Sequence, residues 1–306
     1  MTNTRKSSPV YCFGEILWDV LPQGALPGGA PFNVACHLSR LNYPCSMISR
    51  IGSDPRGRQL QALMETWGVE NDLLQTDPTH PTGEVLARMD QHHEMSYEIR
   101  FPAAWDFINA SPQALEKVRE ASFFVYGSLA ARHIVSRTAL FQLLEQAPFR
   151  VLDINLRPPF VEKLLLEDLL RHAHVLKTNQ HELALIQQLF GGAPAGEDTP
   201  AREASQVGFV RERFGIPEII LTKGARGAAY YTPEGSWQTP GTPVQVADTV
   251  GSGDSFLAAF IAGHARKEPP ALILRKAAAM GAFIAAREGG CPEYQLAEFE
   301  KFCQES

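Results

Sequence analysis

Cysteine is sparse and unpaired in this 306-residue chain: Cys12, Cys36, Cys45, Cys291 and Cys303 are an odd number, widely scattered, with no Cys-x-x-Cys pair. That spacing argues against a disulfide framework or a zinc site and predicts reduced thiols. Long apolar runs are missing too, and none approaches the roughly 20 residues that a membrane-spanning helix needs. The segment Met1–Ser8 is polar and lacks the apolar core of a secretory leader, so a reducing cytoplasm is the expected compartment. Positive charge is in deficit, with 28 Lys and Arg against 34 Asp and Glu and a formal net charge of −6. This speaks against nucleic acid or an anionic membrane as the main partner, while leaving room for a local basic site. Adjacent His92 and His93, and alternating His172 and His174, lack a third ligand and read as surface or strand-edge residues. No Gly-x-Gly-x-x-Gly follows the first strand, and no Gly-x-x-x-x-Gly-Lys-Ser/Thr loop occurs. Those two absences disfavour a nicotinamide-dependent dehydrogenase and a P-loop nucleotidase.

What remains is an alternating chain, 44% hydrophobic and long enough for one large α/β domain or two smaller ones. Val10–Leu17 reads as a short apolar strand, Pro31–Leu41 as a helix, Ser46–Gly52 as a strand and Gly57–Trp67 as a helix, which suggests βαβ units and a parallel sheet. The rhythm breaks at Thr82–Phe101. There Gly83–Met89 and Met95–Phe101 look like antiparallel strands joined by Asp90–Glu94, fitting a small appended sheet. Strands at Ser122–Gly127, Arg150–Ile154, His174–Lys177 and Glu218–Thr222 then alternate with helices, and Gly191–Pro200 reads as an exposed loop. Three helices close the chain, near Ser252–Lys267, Pro270–Arg287 and Glu293–Gln304, with no internal repeat.

Chemistry-bearing residues fall at the carboxyl ends of these strands, where open α/β sheets bind ligands. The run Asp248-Thr249-Val250-Gly251-Ser252-Gly253-Asp254 opens a helix. Its glycines expose successive backbone N–H groups, and the helix adds its positive end, so the segment suits an anion. Asp254 could take a proton from a hydroxyl or simply cap the helix. After the first strand come Asp19 and the turn Gly28-Gly29-Ala30-Pro31-Phe32-Asn33, where glycine permits close approach while Asp19 and Asn33 could hold vicinal hydroxyls. A tight turn with a packed Asn33 is the plainer reading. Arg157 could bind phosphate or pair with Asp153. Asn179 and Glu182 could orient metal-bound water near phosphate, or form a helix cap and first turn. Thr222, Gly224 and Gly227 offer a flexible, partly basic phosphate site or an ordinary hairpin turn.

The order of these motifs resembles the PfkB, or ribokinase-like, carbohydrate kinase family over essentially the whole chain, most strongly at Gly28–Asn33 and Asp248–Asp254. Gly14-Glu15-Ile16-Leu17-Trp18-Asp19 and Ala104-Trp105-Asp106 look most like its bacterial fructokinase branch. The resemblance implies one three-layer α/β/α domain over residues 1–306, with a mostly parallel central sheet. A small β-stranded lid would come from about 82–101 and a contribution from about 17–27. It implies transfer of the γ-phosphoryl group of ATP to a sugar hydroxyl, with Mg²⁺ and a homodimer formed through the lid. Fructose is the expected sugar. 2-Keto-3-deoxygluconate, ribose or a catalytically silent sugar- or nucleotide-binding regulator are the alternatives.

By motif, Asp19, Gly28, Gly29 and Asn33 would hold the sugar and Asp254 would be the base. Gly251, Ser252 and Gly253 would receive the phosphoryl group. Asn179 and Glu182 would serve metal and phosphate, and Thr222, Gly224 and Gly227 the nucleotide. Arg157 would lie near sugar or phosphate, and Asp248 would join a K⁺ site. The chain departs from the family pattern at Ser252, where alanine is common, at Phe32, where a smaller residue is common, and at the loosely matched Arg287–Cys291, which leaves cation dependence open.

Overall fold

Period-two alternation along strand β1 (Val10–Phe13) sends Val10 and Cys12 to one face of a sheet and Tyr11 and Phe13 to the other, all four buried. Strand β8 (Phe123–Gly127) repeats the pattern, with Phe123 and Val125 on the first face and Phe124 and Tyr126 on the second. A sheet that is apolar on both faces must be covered on both. The computed structural model, which describes residues 8–89, 95–192 and 199–305, shows that arrangement. The predicted connection Asp90–Glu94 with His92 and His93, most of the Gly191–Pro200 loop and the segment before Ser8 lie outside the described residues.

The large sheet has nine strands in the order β13-β12-β11-β10-β9-β8-β1-β4-β5. Its remaining members are β4 (Cys45–Gly52), β5 (Leu74–Asp77), β9 (Arg150–Asp153), β10 (Val175–Asn179), β11 (Glu218–Thr222), β12 (Ala228–Thr232) and β13 (Gly235–Thr239). Strands β5 through β11 pair in parallel, and β12 and β13 add antiparallel at one edge. One face packs against α1 (Ala30–Arg40), α8 (Ser252–Ala265) and α9 (Pro270–Ala285), with Phe32, Leu38, Leu257, Phe260, Met280 and Phe283 in the core. The other packs against α4 (Ile134–Leu144), α5 (Lys163–His172), α6 (Gln180–Leu189) and α7 (Pro200–Phe214) through Leu140, Leu143, Leu169, Ile186, Val210 and Phe214. The remaining helices are α2 (Pro55–Thr66), α3 (Pro112–Val118) and α10 (Leu296–Glu305). This is the three-layer α/β/α, ribokinase-like fold expected from the sequence.

A second sheet of four strands, ordered β3-β2-β6-β7, stands apart from the first. Strands β6 (Gly83–Met89) and β7 (Met95–Ile99) form the predicted antiparallel pair, and β2 (Leu17–Leu21) and β3 (Gly24–Gly28) supply the contribution expected near 17–27. β2 joins β6 in parallel.

One expectation is corrected. Val10–Leu17 is not a single strand, because the chain leaves the large sheet after Phe13 and enters the small sheet at Leu17. Gly14 makes the break at φ +142°, in space so tight that a Cβ there would meet Pro31. Among the described residues no helix is long and apolar enough to cross a membrane.

Candidate active site

Parallel pairing aligns the carboxyl ends of the central strands and so gathers residues far apart in sequence. Gly127 lies beside Asp153, Asp153 beside Lys177, and Asn179 beside Thr222. Over this rim stand the amino ends of α1 and α8, from which Asn33 and Asp254 meet: the Asn33 side-chain amide donates to Asp254 Oδ2 at 2.8 Å.

Asp254 does not cap its helix. The cap position belongs to Gly251, at φ +73°, which offers no side chain to the first-turn amides, and Asp254 sits three residues further in with its carboxylate turned to Asn33. The amino end of α8 therefore has no side-chain cap from Gly251 to compete with an anion, and only a long 3.3 Å bond from Ser252 N to Thr249 O engages its first amide. Asp254 is buried, and that burial together with Asp153 lifts its carboxyl to about 6, against the opposing pull of Lys177 and the Asn33 bond. A carboxylate with this pKa is ionised at neutral pH yet basic enough to accept a proton.

Asn33 is itself enclosed, with its Oδ1 receiving the Cys291 thiol at 3.2 Å. Its geometry makes it first the residue that aims Asp254, with only its remaining hydrogen-bonding capacity left for another partner. Gly28 and Gly29 precede it in a turn where Gly29, at positive φ against fixed backbone, must be glycine and Gly28 leaves room for a neighbouring side chain. A Cβ on Gly28 would strike the Asp19 carboxylate, and one on Gly29, at φ +113°, would strike the Glu15 carbonyl. Asp19 thus lies directly over the glycine turn. Burial raises its carboxyl to about 6, with Arg157 pulling the other way.

The sequence offered Arg157 as a partner for Asp153, and the structure supplies another. Lys177 Nζ donates to Asp153 Oδ2 at 2.7 Å, both side chains being almost wholly enclosed. Burial alone would depress the lysine, but Asp153, Asp254 and Glu182 outweigh it and hold the ammonium above its ordinary value. The same Nζ lies 3.1 Å from the position a Cβ would take on Gly253, so a fixed positive charge abuts the glycine loop. Arg157 is exposed on the loop after β9, and among the described residues it makes no ion pair; its charge still reaches Glu15, Asp19 and Asp254.

Asn179 and Glu182 form a reciprocal capping box at the start of α6: Asn179 Oδ1 accepts from Glu182 N at 2.9 Å and Glu182 Oε2 accepts from Asn179 N at 2.9 Å. Glu182 Oε1 also accepts from Leu156 N at 3.0 Å, which anchors the loop carrying Arg157. Among the described residues no cluster of three or more His, Cys, Asp or Glu side chains could hold a metal ion. A divalent cation here would be held by phosphate oxygens and water, with Glu182 contributing its unused lone pairs to that water.

Thr222 ends β11 beside Asn179, and Gly224 opens a short 3₁₀ turn that closes at Gly227 before β12. Gly224 at φ +57° and Gly227 at φ +91° give the turn its shape, so the hairpin reading of these glycines holds in the structure. Asp248 fastens the anion loop to the late segment: its Oδ1 accepts from Val250 N at 3.0 Å and its Oδ2 from Gly289 N at 3.1 Å. Behind that segment the buried imidazole of His37 bridges Gly290 O at 2.9 Å and Tyr294 Oη at 3.0 Å, fixing the residue against which Gly251 and Asn33 pack.

Sequence reading missed Lys177, Glu15, His37 and Cys291. Lysine at the end of an apolar strand was the available signal for the first. Glu15 and Cys291 stood within quoted segments, Gly14–Asp19 and Arg287–Cys291, without a role, and His37 carried no signal because it acts through contacts with a distant segment.

A model of the pfkB family carbohydrate kinases matches residues 23–295. The chain belongs to that family. Relatives within it include a fructokinase of Escherichia coli, 28% identical over 272 residues, covering 84% of this chain and 84% of the relative. A probable chloroplastic fructokinase-6 of Arabidopsis thaliana is 28% identical over 288 residues, covering 85% of this chain and 71% of the relative. Among solved structures, the fructokinase of Vibrio cholerae O395 in its fructose, ADP and calcium ion bound form superposes with TM-score 0.81 at 25% identity, covering 97% of this chain and 99% of the other. A fructokinase from Xylella fastidiosa with bound ATP shares the fold at TM-score 0.83 and 24% identity, covering 98% and 99%.

Proposed function

We propose that the chain is an ATP-dependent sugar kinase whose preferred acceptor is fructose, and that Asp254 is its catalytic base. The observation that carries this reading is the meeting of three elements: the buried Asp254 aimed by Asn33, the uncapped amino end of α8, and Lys177 against Gly253. When bound, ATP supplies the phosphoryl group and Mg²⁺ neutralises charge on its oxygens.

Asp19 and the Gly28–Gly29 turn hold the sugar. Asp254 accepts the hydroxyl proton as that oxygen attacks phosphorus, while the amides of Gly251, Ser252 and Gly253 and the Lys177 ammonium offset the negative charge that builds on the phosphoryl oxygens. Thr222, Gly224 and Gly227 border the nucleotide, and Glu182 with Asn179 orders the metal-bound water. Arg157, on its exposed loop, lies near the sugar or the phosphate. The small sheet acts as the lid over the sugar.

A K⁺ ion beside Asp248 is part of this proposal, supported by a double mutant of the Vibrio cholerae fructokinase in a fructose, ADP and potassium ion bound form. So are a cytoplasmic location and a homodimer. The edge strands β3 and β7 of the small sheet expose Leu26 and Tyr97, a surface that edge-to-edge association would cover. Light scattering should return twice the 33.7 kDa of one chain. A monomer at every assay concentration would remove the dimer.

A coupled ADP-release assay over fructose, tagatose, ribose, 2-keto-3-deoxygluconate and nucleosides tests the central reading. Fructose should give the highest kcat/KM. A sugar-induced rise in melting temperature without ADP formation would favour a silent binding protein instead.

A further inference from the structure

Glu15 occupies the bend between β1 and β2 and is only 4% exposed, yet its Oε2 has no hydrogen-bond partner. The backbone N–H groups of Glu15 itself and of Ala30, the first residue of α1, act on its carboxyl electrostatically without closing a regular hydrogen bond. That second contact matters because the α1 cap residue, Gly29, has no side chain with which to cap. Glu15 therefore sets a carboxyl beside the uncapped start of α1, where a serine or aspartate would cap an ordinary helix. Glu15 also lines a small, partly open space of about 10 Å³, shared with Ala30, Ser128, Asp153 and Asn155, which is room for about one water. An ionised carboxylate is a poor fit there. Asp254 stands close enough to repel it, and Asp153 lines the same space. Burial pushes the Glu15 carboxyl up to about 7, with Arg157 opposing.

We propose that Glu15 is a positioning residue for the sugar that works as an uncharged acid: its carboxyl packs beside Ala30 at the end of the Gly28–Gly29 turn, and its protonated Oε2 donates to one water shared with Asp153 and Asn155. The water ties the turn that grips the sugar to the loop that carries Arg157. Asn155, held at φ +36°, gives that loop a fixed start. Glu15 stays clear of the phosphoryl group, so its removal disturbs sugar binding and spares nucleotide binding. The inference rests on the sugar-kinase reading for its effect on KM, and on Glu15 alone for its protonation.

Two measurements separate these. In steady-state kinetics with the best sugar of the panel, Glu15→Leu should raise the sugar KM at least about tenfold, with kcat and the ATP KM moving less than about threefold. Glu15→Gln, which keeps an oxygen beside Ala30 and a donor for the water, should recover most of that loss. Glu15→Ala serves the same comparison if the leucine variant does not fold. In infrared spectroscopy without any ligand, the difference between wild type and Glu15→Gln at pH 6 should contain the carbonyl band of a protonated carboxylic acid. A folded leucine variant with unaltered sugar KM overturns the positioning role, and a glutamine variant as impaired as the leucine one overturns the uncharged acid, as does absence of the infrared band. A wild type that phosphorylates no sugar would sink the kinase reading alone, and the infrared band would still decide the state of Glu15.

Discussion

Asn33 and Asp254, at the amino ends of α1 and α8, share a 2.8 Å hydrogen bond that sets the direction of the buried carboxylate. Because Asp254 is expected to act only on the proton in flight, Asp254→Asn should lower kcat by on the order of 10²–10⁴-fold while leaving the sugar KM within a few-fold. Initial-rate measurement of ADP release at varied sugar concentration reads both. A variant with near-normal kcat would remove Asp254 as the base.

The pH dependence follows from the Asp254 carboxyl lying at about 6. The base must be ionised, so kcat at saturating sugar should fall as pH drops through about 6 and level off above it. Stability runs the opposite way. A carboxyl whose folded-state pKa is raised contributes stability that is present below its unfolded value and is lost as pH rises through the folded one. Asp254→Asn should therefore melt higher than wild type at pH 8 and lose that advantage near pH 4. Parallel melting curves at the two pH values check the sign.

Lys177 and Asp153 form an enclosed pair at 2.7 Å, and removing one partner strands the other. Lys177→Met should cost about 3–5 kcal/mol of stability, as broken buried pairs do. Adding Asp153→Asn should restore much of it. Activity should not return with stability, because the positive charge against Gly253 stays missing. Denaturant unfolding alongside turnover of the single and double variants distinguishes a structural pair from one that also serves phosphoryl transfer.

Gly29 should tolerate no side chain. Alanine at φ +113° is strained, and its Cβ would meet the Glu15 carbonyl. Gly29→Ala is expected to raise the sugar KM and lower the melting temperature, whereas Gly208→Ala, at a half-buried position of α7 where a Cβ meets nothing within 4 Å, should do neither. Kinetics and melting of the two variants make the comparison.

The alternation of strands and helices was legible because burial on both faces of a parallel sheet leaves continuous apolar runs, as at Phe123–Tyr126, and because Gly and Pro punctuate them. The small sheet was legible where polar and apolar residues alternate, at Gly83–Met89. It was less so at Gly24–Gly28, where glycine and proline mask a strand, and the break after Phe13 was hidden because Gly14 and Glu15 sit within an apolar stretch. Residues of the site that act locally, such as Gly29, Asn179 and Gly251, could be read from their motifs. Lys177 could not be assigned to Asp153, since sequence displays the neighbour four residues on, Arg157, and conceals the parallel register that places Lys177 alongside. For Asp254 the residues alone left cap and base open, because its partner lies on a distant helix. Only the folded chain shows that Gly251 holds the cap position and that Asn33 claims the carboxylate.

The most direct test of the account is phosphorus NMR of the products formed from ATP, Mg²⁺ and fructose by wild type and Asp254→Asn. Wild type should convert ATP to ADP with the matching appearance of a sugar phosphate, and the variant should form neither at a comparable rate. Release of inorganic phosphate without sugar phosphate, or equal sugar phosphate from both proteins, would contradict it.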